Sequence, residues 1–274
     1  MPADVAAHES GSPVRRLTTS LLGRRWSVFI AELVLVVAGI LIALAIDGWI
    51  QDRQDRRSET IYLQLLSRDL EKIEDEFQHY VDFENENLAT GARAYAAVAD
   101  RNLPGDVDAL QRVISALGSR RTLQIHSATY DDLTSTGNLQ LIRDRALRER
   151  IISHFADVRR TELIIEKNNR LAIDEMFFPF LQQAGITSNL QDHPTRQVRE
   201  ASRAVMEILG DDYVPPVDAI LMRPPGDPAW NDIRRQILFR MRIASIGAVV
   251  GADLIESTRA LRAVVDGALE ERAE

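Results

Sequence analysis

Histidines are the side chains best placed to do chemistry here, because the chain has no cysteine to serve as a nucleophile or a metal ligand. There are five: His8, His79, His126, His154 and His193. None sits in an HxxxH or HExxH pattern, the spacings that put two ligands on one helix face. His79 follows Asp75 and Glu76 at helical spacing, and His154 precedes Asp157 by three. Either pair would need a ligand from another helix to hold a metal; otherwise each is a pair of solvated neighbours on an acidic helix. Asp131 and Asp132 are adjacent, so on a helix they diverge by about 100°, poor geometry for a shared acid–base site. Only Lys72 and Lys167 offer an amine for Schiff-base chemistry. The sequence contains no P-loop, GxGxxG or GxSxG. No catalytic, cofactor-binding or metal-ligating residue is assigned on these grounds.

The most distinctive polar stretch is Tyr130–Ile142, YDDLTSTGNLQLI. Read physically, it is a short helix ended by Gly137 in the left-handed C′ position, with Asn138 beginning the next turn. Thr134, Ser135 and Thr136 can then cap backbone groups. Read functionally, the hydroxyls would form a cradle for a ligand or phosphate. Capping accounts for every residue type present, and no general base is nearby in sequence.

The elements that must carry these residues begin with the segment 26–46, WSVFIAELVLVVAGILIALAI. As a helix it is roughly 30 Å long, the thickness of bilayer hydrocarbon. Trp26 and Trp49 flank it, as interfacial aromatic rings do. A cleaved signal peptide is the main rival, since Ala43-Leu44-Ala45 has the A-x-A form. The apolar run continues past that point to Ile46, which argues for retention. Glu32 is anomalous, because a carboxylate in the span costs a few kcal/mol unless it snorkels, is protonated or finds a partner. Glu32, Val36, Gly39, Ala43 and Asp47 share one narrow helix face, and Gly39 and Ala43 have the small-xxx-small spacing of close helix contacts. This face is the candidate contact for a membrane-helix partner or a homo-oligomer. Arg15, Arg16, Arg24 and Arg25 precede the span without acids, whereas Arg53, Arg56 and Arg57 follow it among Asp47, Asp52 and Asp55. Basic residues favour the cytoplasmic side, so residues 1–25 are expected to be a cytoplasmic tail and the rest to lie outside the cytoplasm.

Beyond Trp49 the composition turns polar, and no proline or glycine intervenes before Thr90. One helix should therefore run through 47–100 as a stalk and first bundle helix. Leu63, Leu66, Leu70, Ile73, Phe77 and Tyr80 make a seam at alternating steps of 3 and 4, suited to packing within a bundle or in a homodimeric coiled coil. Residues 58–100 hold ten acids against three bases, read as a solvated acidic face. Helices are also expected from Asp106 to Leu117, from Asp144 to the Pro179–Phe180 region, from Thr195 to Leu209 and from Ala229 to Leu269. Asp227 would cap the last of these, with Pro228 at its first position. Residues 214–228 are proline-rich and read as a loop. Ile243–Ala252 is apolar but too short to span, and Gly247 and Gly251 there suit close helix packing. With no useful strand alternation, the fold class is all-α: one transmembrane helix continuing into an up-down helical bundle over 101–274.

Two motifs together resemble a family of uncharacterised bacterial single-pass membrane proteins. They are Glu32 with LVLVVAGILIALAID (33–47), Trp49 and the Arg-rich exit to Tyr62-Leu63 and Asp69-Leu70, and then YDDLTSTGNLQLI. The match covers about residues 26–160. The resemblance implies an inner-membrane location and a helical domain, and no activity.

The net charge of -8 argues against nucleic acid as a partner. Of three function classes, the expected one is a membrane-anchored interaction or scaffold module whose constant partner is the lipid bilayer. A ligand-sensing helical domain is the alternative, weakened because 25 residues before the span leave no room for a cytoplasmic output domain. A tethered enzyme, built around the histidines, is the third.

Overall fold

The computed structural model describes residues 17–99, 107–186, 196–210, 220–221, 223–224 and 226–272. The protein is all-α, with no strand among the described residues. It divides into two compact units, one up to Ser58 and one from Glu59.

The first unit is the leading part of α1 (Leu17–Ala99), an unbroken helix. No proline occurs from Val14 to Leu103, so nothing removes a backbone donor along it. Trp26 and the large apolar side chains from Phe29 to Ile50 are exposed, Leu35 at 74%. Trp26 meets Phe29 edge-on, and Arg53 lies over the Trp49 ring at 5.7 Å.

The second unit is built on the rest of α1, with α2 (Val107–Ala116), α3 (Ala128–Ser135), α4 (Arg145–Asn168), α5 (Phe178–Gln183), α6 (Arg196–Leu209) and α7 (Ala229–Glu270). The heptad-like seam of α1 is fully inside: Leu63, Leu66, Leu70 and Phe77 expose nothing. Burying each such side chain contributes about 1.5–3 kcal/mol. The seam packs within its own chain, against Leu147, Ile151, Phe155 and Val158 of α4 and Leu254, Leu261 and Val265 of α7. A second apolar cluster joins Ala94 and Val98 of α1 to Ile114, Phe177, Leu181 and to Trp230, Ile233 and Ile237 of α7.

Local chemistry explains the helix boundaries. Asp144 caps α4, its carboxylate accepting from the Ala146 and Leu147 N–H groups. After α4 the helix widens into a π-helical turn, Asn169–Phe177, just before Pro179 in α5. Proline lacks the N–H and crowds the carbonyl four residues back, and a wider turn relieves both. One expectation shifts by a residue: Pro228 stands at the cap of α7, not at its first helical position. Asp227 still does the capping, its carboxylate accepting from Ala229 N at 2.9 Å. The cap residues expected at Asp106 and Thr195, and most of the proline-rich loop, lie outside the described residues.

Gly247 and Gly251 behave as their spacing suggests. A Cβ on Gly247 would come within 2.7 Å of the Tyr80 hydroxyl, and one on Gly251 within 2.6 Å of Val81. Two glycines thus let α7 lie directly on α1.

Candidate functional site

The residues of the second motif meet the residues of the first. On α1, Glu59, Tyr62, Leu66 and Asp69 fall in one stripe, and the polar three grip the segment from Ser127 to Arg143. Asp69 Oδ2 accepts from Ser127 Oγ at 3.0 Å and from the Thr129 N–H at 3.1 Å. Ser127 Oγ in turn accepts from Tyr130 N and so caps α3. The Tyr62 hydroxyl donates to Asp132 Oδ2 at 2.7 Å and accepts from Asn138 Nδ2 at 3.0 Å. That bond to the Asp132 carboxylate raises the Tyr62 pKa above its ordinary value. Glu59 is buried, and its Oε1 accepts from both Arg143 N and Arg272 Nη2 at 2.7 Å.

Gly137 does adopt the left-handed conformation, with φ 76°, after α3 ends at Ser135. Asn138 opens a short 3-10 turn, Asn138–Leu141. The three hydroxyls turn back onto α3: Thr134 donates to Tyr130 O, and Ser135 and Thr136 donate to Asp132 O. They are occupied as caps and do not form a cradle. Asp131 and Asp132 diverge as expected, Asp131 to Arg159 and Asp132 to Tyr62. Tyr130 stacks on Phe155 at 4.0 Å with Arg159 over its ring.

The acidic face of α1 is not simply solvated, which corrects the reading from composition. Glu71 pairs with Arg262, Glu74 with Arg259 and Glu76 with Arg121. Arginines brought by α7 and by the loop after α2 lie opposite these acids, which charge counting along one segment does not reveal.

Between the two apolar clusters lies a buried polar layer that the sequence reading did not single out. Arg240 is 1% exposed and spends all three nitrogens: Nε on Leu117 O at 3.0 Å, Nη1 on Glu84 Oε2 at 3.2 Å, Nη2 on Ser119 O at 3.2 Å. Asn87 Nδ2 also donates to Glu84 Oε2. Burial pushes the Glu84 carboxyl up from its ordinary value, and Arg240 opposes that rise. Tyr80 next to it is also shifted upward by burial. The signal was present: Glu84 and Arg240 continue apolar seams (77, 80, 84 and 233, 237, 240) with opposite charges on two helices.

The histidine pairs do not converge. His79 is exposed. His154 is buried, with Nε2 3.5 Å from Thr258 Oγ1 and its ring edge-on to Phe155. Burial lowers its pKa to about 4. Asp157 points away to Arg160. Among the described residues no three His, Asp or Glu side chains come together as a metal site. A cleft of about 350 Å³ is lined by Phe180, Gln183, Ile220, Gln236 and the Asp232–Arg235 ion pair. It has a ligand pocket's size but gathers no acid–base or nucleophilic pair.

On the membrane-type face, Glu32, Val36, Gly39, Ala43 and Asp47 are exposed along α1, and nothing lies within 4 Å of a Cβ built on Gly39. Among the described residues, α1 is the one helix long and apolar enough to cross a membrane, by length and composition. The class these observations define is an all-α protein with one candidate membrane span. Comparison with protein-family models, with curated proteins and with solved structures finds no match.

Proposed function

We propose that this chain is a single-pass protein of the bacterial inner membrane, and that its helical unit is an interaction or scaffold module held outside the cytoplasm. One observation carries the reading. The same helix that presents an exposed, mainly apolar surface from Phe29 to Ile50, broken by Glu32 and Asp47, supplies the buried seam around which the second unit folds. An apolar surface of that length is stable in lipid and costly in water. The resemblance of the two motifs to those of a family of bacterial single-pass proteins supports the same placement. The arginines before Trp26 favour a cytoplasmic tail. The face of Gly39 and Ala43 is the contact for a partner helix or a second copy, where Glu32 is satisfied by a hydrogen bond across the contact.

The test is fractionation with crosslinking. The chain should stay with membranes through high-salt and alkaline washes, and a phosphatase fused at Glu274 should be active. Release by alkali, or an inactive phosphatase alongside a glowing cytoplasmic fluorescent fusion, would overturn the placement. Gly39→Leu should weaken association of residues 1–60 by about 1–2 kcal/mol, whereas Leu41→Ala should leave it intact. Equal signals would mean that the face meets lipid. Purification in mild detergent should bring a protein partner down with the chain; recovery of the bare chain at every expression level would count against a scaffold.

A further inference from the structure

The cleft of about 350 Å³ beside the second apolar cluster has walls of two kinds. One wall is α5, whose Phe180, Gln183 and Ala184 are spaced i, i+3 and i+4 and so share a helix face. The other is the start of α7, whose Asp232, Arg235 and Gln236 have the same spacing. Ile220 completes the lining. Both walls are held from beneath, because Leu181 and Ala184 belong with Ile233 and Ile237 to the buried cluster. The volume stands at the lower end of the roughly 300–1,000 Å³ of small-molecule sites.

A second, independent observation falls at the same place. Among the described residues two buried side-chain polar atoms have no hydrogen-bond partner, Arg234 Nε and Gln236 Oε1. Arg234 is held through its other nitrogens, which donate to Asn231 Oδ1 and Val98 O. Gln236 is the one that lines the cleft. Buried polar oxygens are satisfied in the great majority of cases, so each exception calls for a reason. The last torsion of a glutamine is soft, and a turn about it swings Oε1 toward a donor seated in the cleft.

We propose that this cleft binds a free amino acid with an apolar side chain. The side chain lies on Phe180, Ala184 and Ile220. The ammonium donates to Gln236 Oε1 and to the Asp232 carboxylate. The carboxylate accepts from the Arg235 guanidinium and the Gln183 amide. Asp232 and Arg235 are ion-paired with each other, and that pair persists in the complex. A carboxylate has about four lone-pair sites and a guanidinium five N–H donors, so each keeps its neighbour while taking one ligand group. The two opposite charges are the complement of a zwitterion. A ligand with only the acid leaves Gln236 unpaired, and one with only the amine leaves Arg235 without its anion. No nucleophile or general base stands at the cleft, so the ligand is bound and not turned over. The site shares no residue with the face around Gly39, and it adds to the scaffold reading a small-molecule input.

The test is ligand-observed NMR titration of the full chain in mild detergent. The probes are L-leucine, L-phenylalanine, phenylethylamine, which lacks the carboxylate, and 3-phenylpropionate, which lacks the amine. L-leucine or L-phenylalanine should bind with a Kd below about 1 mM. Each truncated probe should bind at least about tenfold more weakly than L-phenylalanine. Arg235→Gln should weaken L-phenylalanine by about tenfold and leave phenylethylamine unchanged, whereas Gln236→Leu should weaken both of these and leave 3-phenylpropionate unchanged. A variant that merely disturbed the fold would weaken all the probes alike. Three results would overturn the proposal: no binding of either amino acid up to about 10 mM, a truncated probe that binds as tightly as L-phenylalanine, or variants whose effects do not follow the group each probe lacks.

Discussion

Replacing Arg240 by methionine keeps the apolar stem of the side chain and removes the three donors that Arg240 brings to the buried polar layer. Glu84, 2% exposed, would lose its ion pair, and Leu117 O and Ser119 O would lose their donors. Breaking a buried pair in this way costs about 3–5 kcal/mol. A second route gives a similar figure. The stranded carboxyl escapes its cost by taking a proton, which at pH 7 costs about 1.36 kcal/mol for each unit above its ordinary value of 4.5, or roughly 3 kcal/mol. The pH dependence follows from the sign. Without Arg240 the folded pKa of Glu84 lies further above the unfolded value, so the variant is closest to wild type below about pH 4.5. It loses ground as pH rises toward the folded pKa. Denaturant unfolding of the full chain in detergent, followed by the fluorescence of buried Trp230, measures both terms. A loss under about 1 kcal/mol at pH 7, or a loss that does not change between pH 5 and pH 7, would refute the reasoning. Pairing Glu84→Met with Arg240→Met should recover at least about 1 kcal/mol of the sum of the single changes, because an apolar pair leaves no orphaned charge.

Three further outcomes are expected. His154 is neutral in the fold down to about pH 4 but ordinarily titrates at 6.5, so stability should fall by about 2–3 kcal/mol as pH drops from 6.5 to 4, and His154→Gln should flatten that slope in a melting series. Tyr62→Phe removes the hydroxyl shared by Asp132 and Asn138 and should cost about 1–2 kcal/mol, with faster hydrogen exchange confined to residues 127–143. Gly247→Val drives a side chain into Tyr80 and Glu84 and should cost about 1–3 kcal/mol in thermal unfolding, whereas the same change at Gly137 should cost stability through its φ of 76° and leave α7 seated on α1.

Periodicity carried most of the fold. The α1 seam, the start of α4 after Asp144, the Gly137 turn and the packing glycines of α7 were all legible, because each depends on neighbours within a few turns of chain. The grip of Glu59, Tyr62 and Asp69 on the Ser127–Arg143 segment was visible only as two motifs, since the contacts join residues 58 to 84 apart. Arg240 was hidden among the many arginines of the chain. An interruption of an apolar seam by a charge is conspicuous only when the opposite charge interrupts the facing seam, and which seams face each other is a tertiary fact. The acids of α1 were misread for the same reason: their arginines arrive from other elements.

The bond between Glu59 and Arg272 spans 213 residues of chain, and it has a meaning in time. At about 5–20 residues per second, a ribosome makes Arg272 some 10–40 s after Glu59. For that interval Leu63, Leu66, Leu70 and Phe77 are synthesised but their α7 partners are not, and α4 can cover only one side of the seam. The nascent α1 therefore spends its first half-minute as a sticky surface. A cell making this protein must shelter that surface, and slowing translation before Ala229 should raise aggregation without altering the finished protein at all.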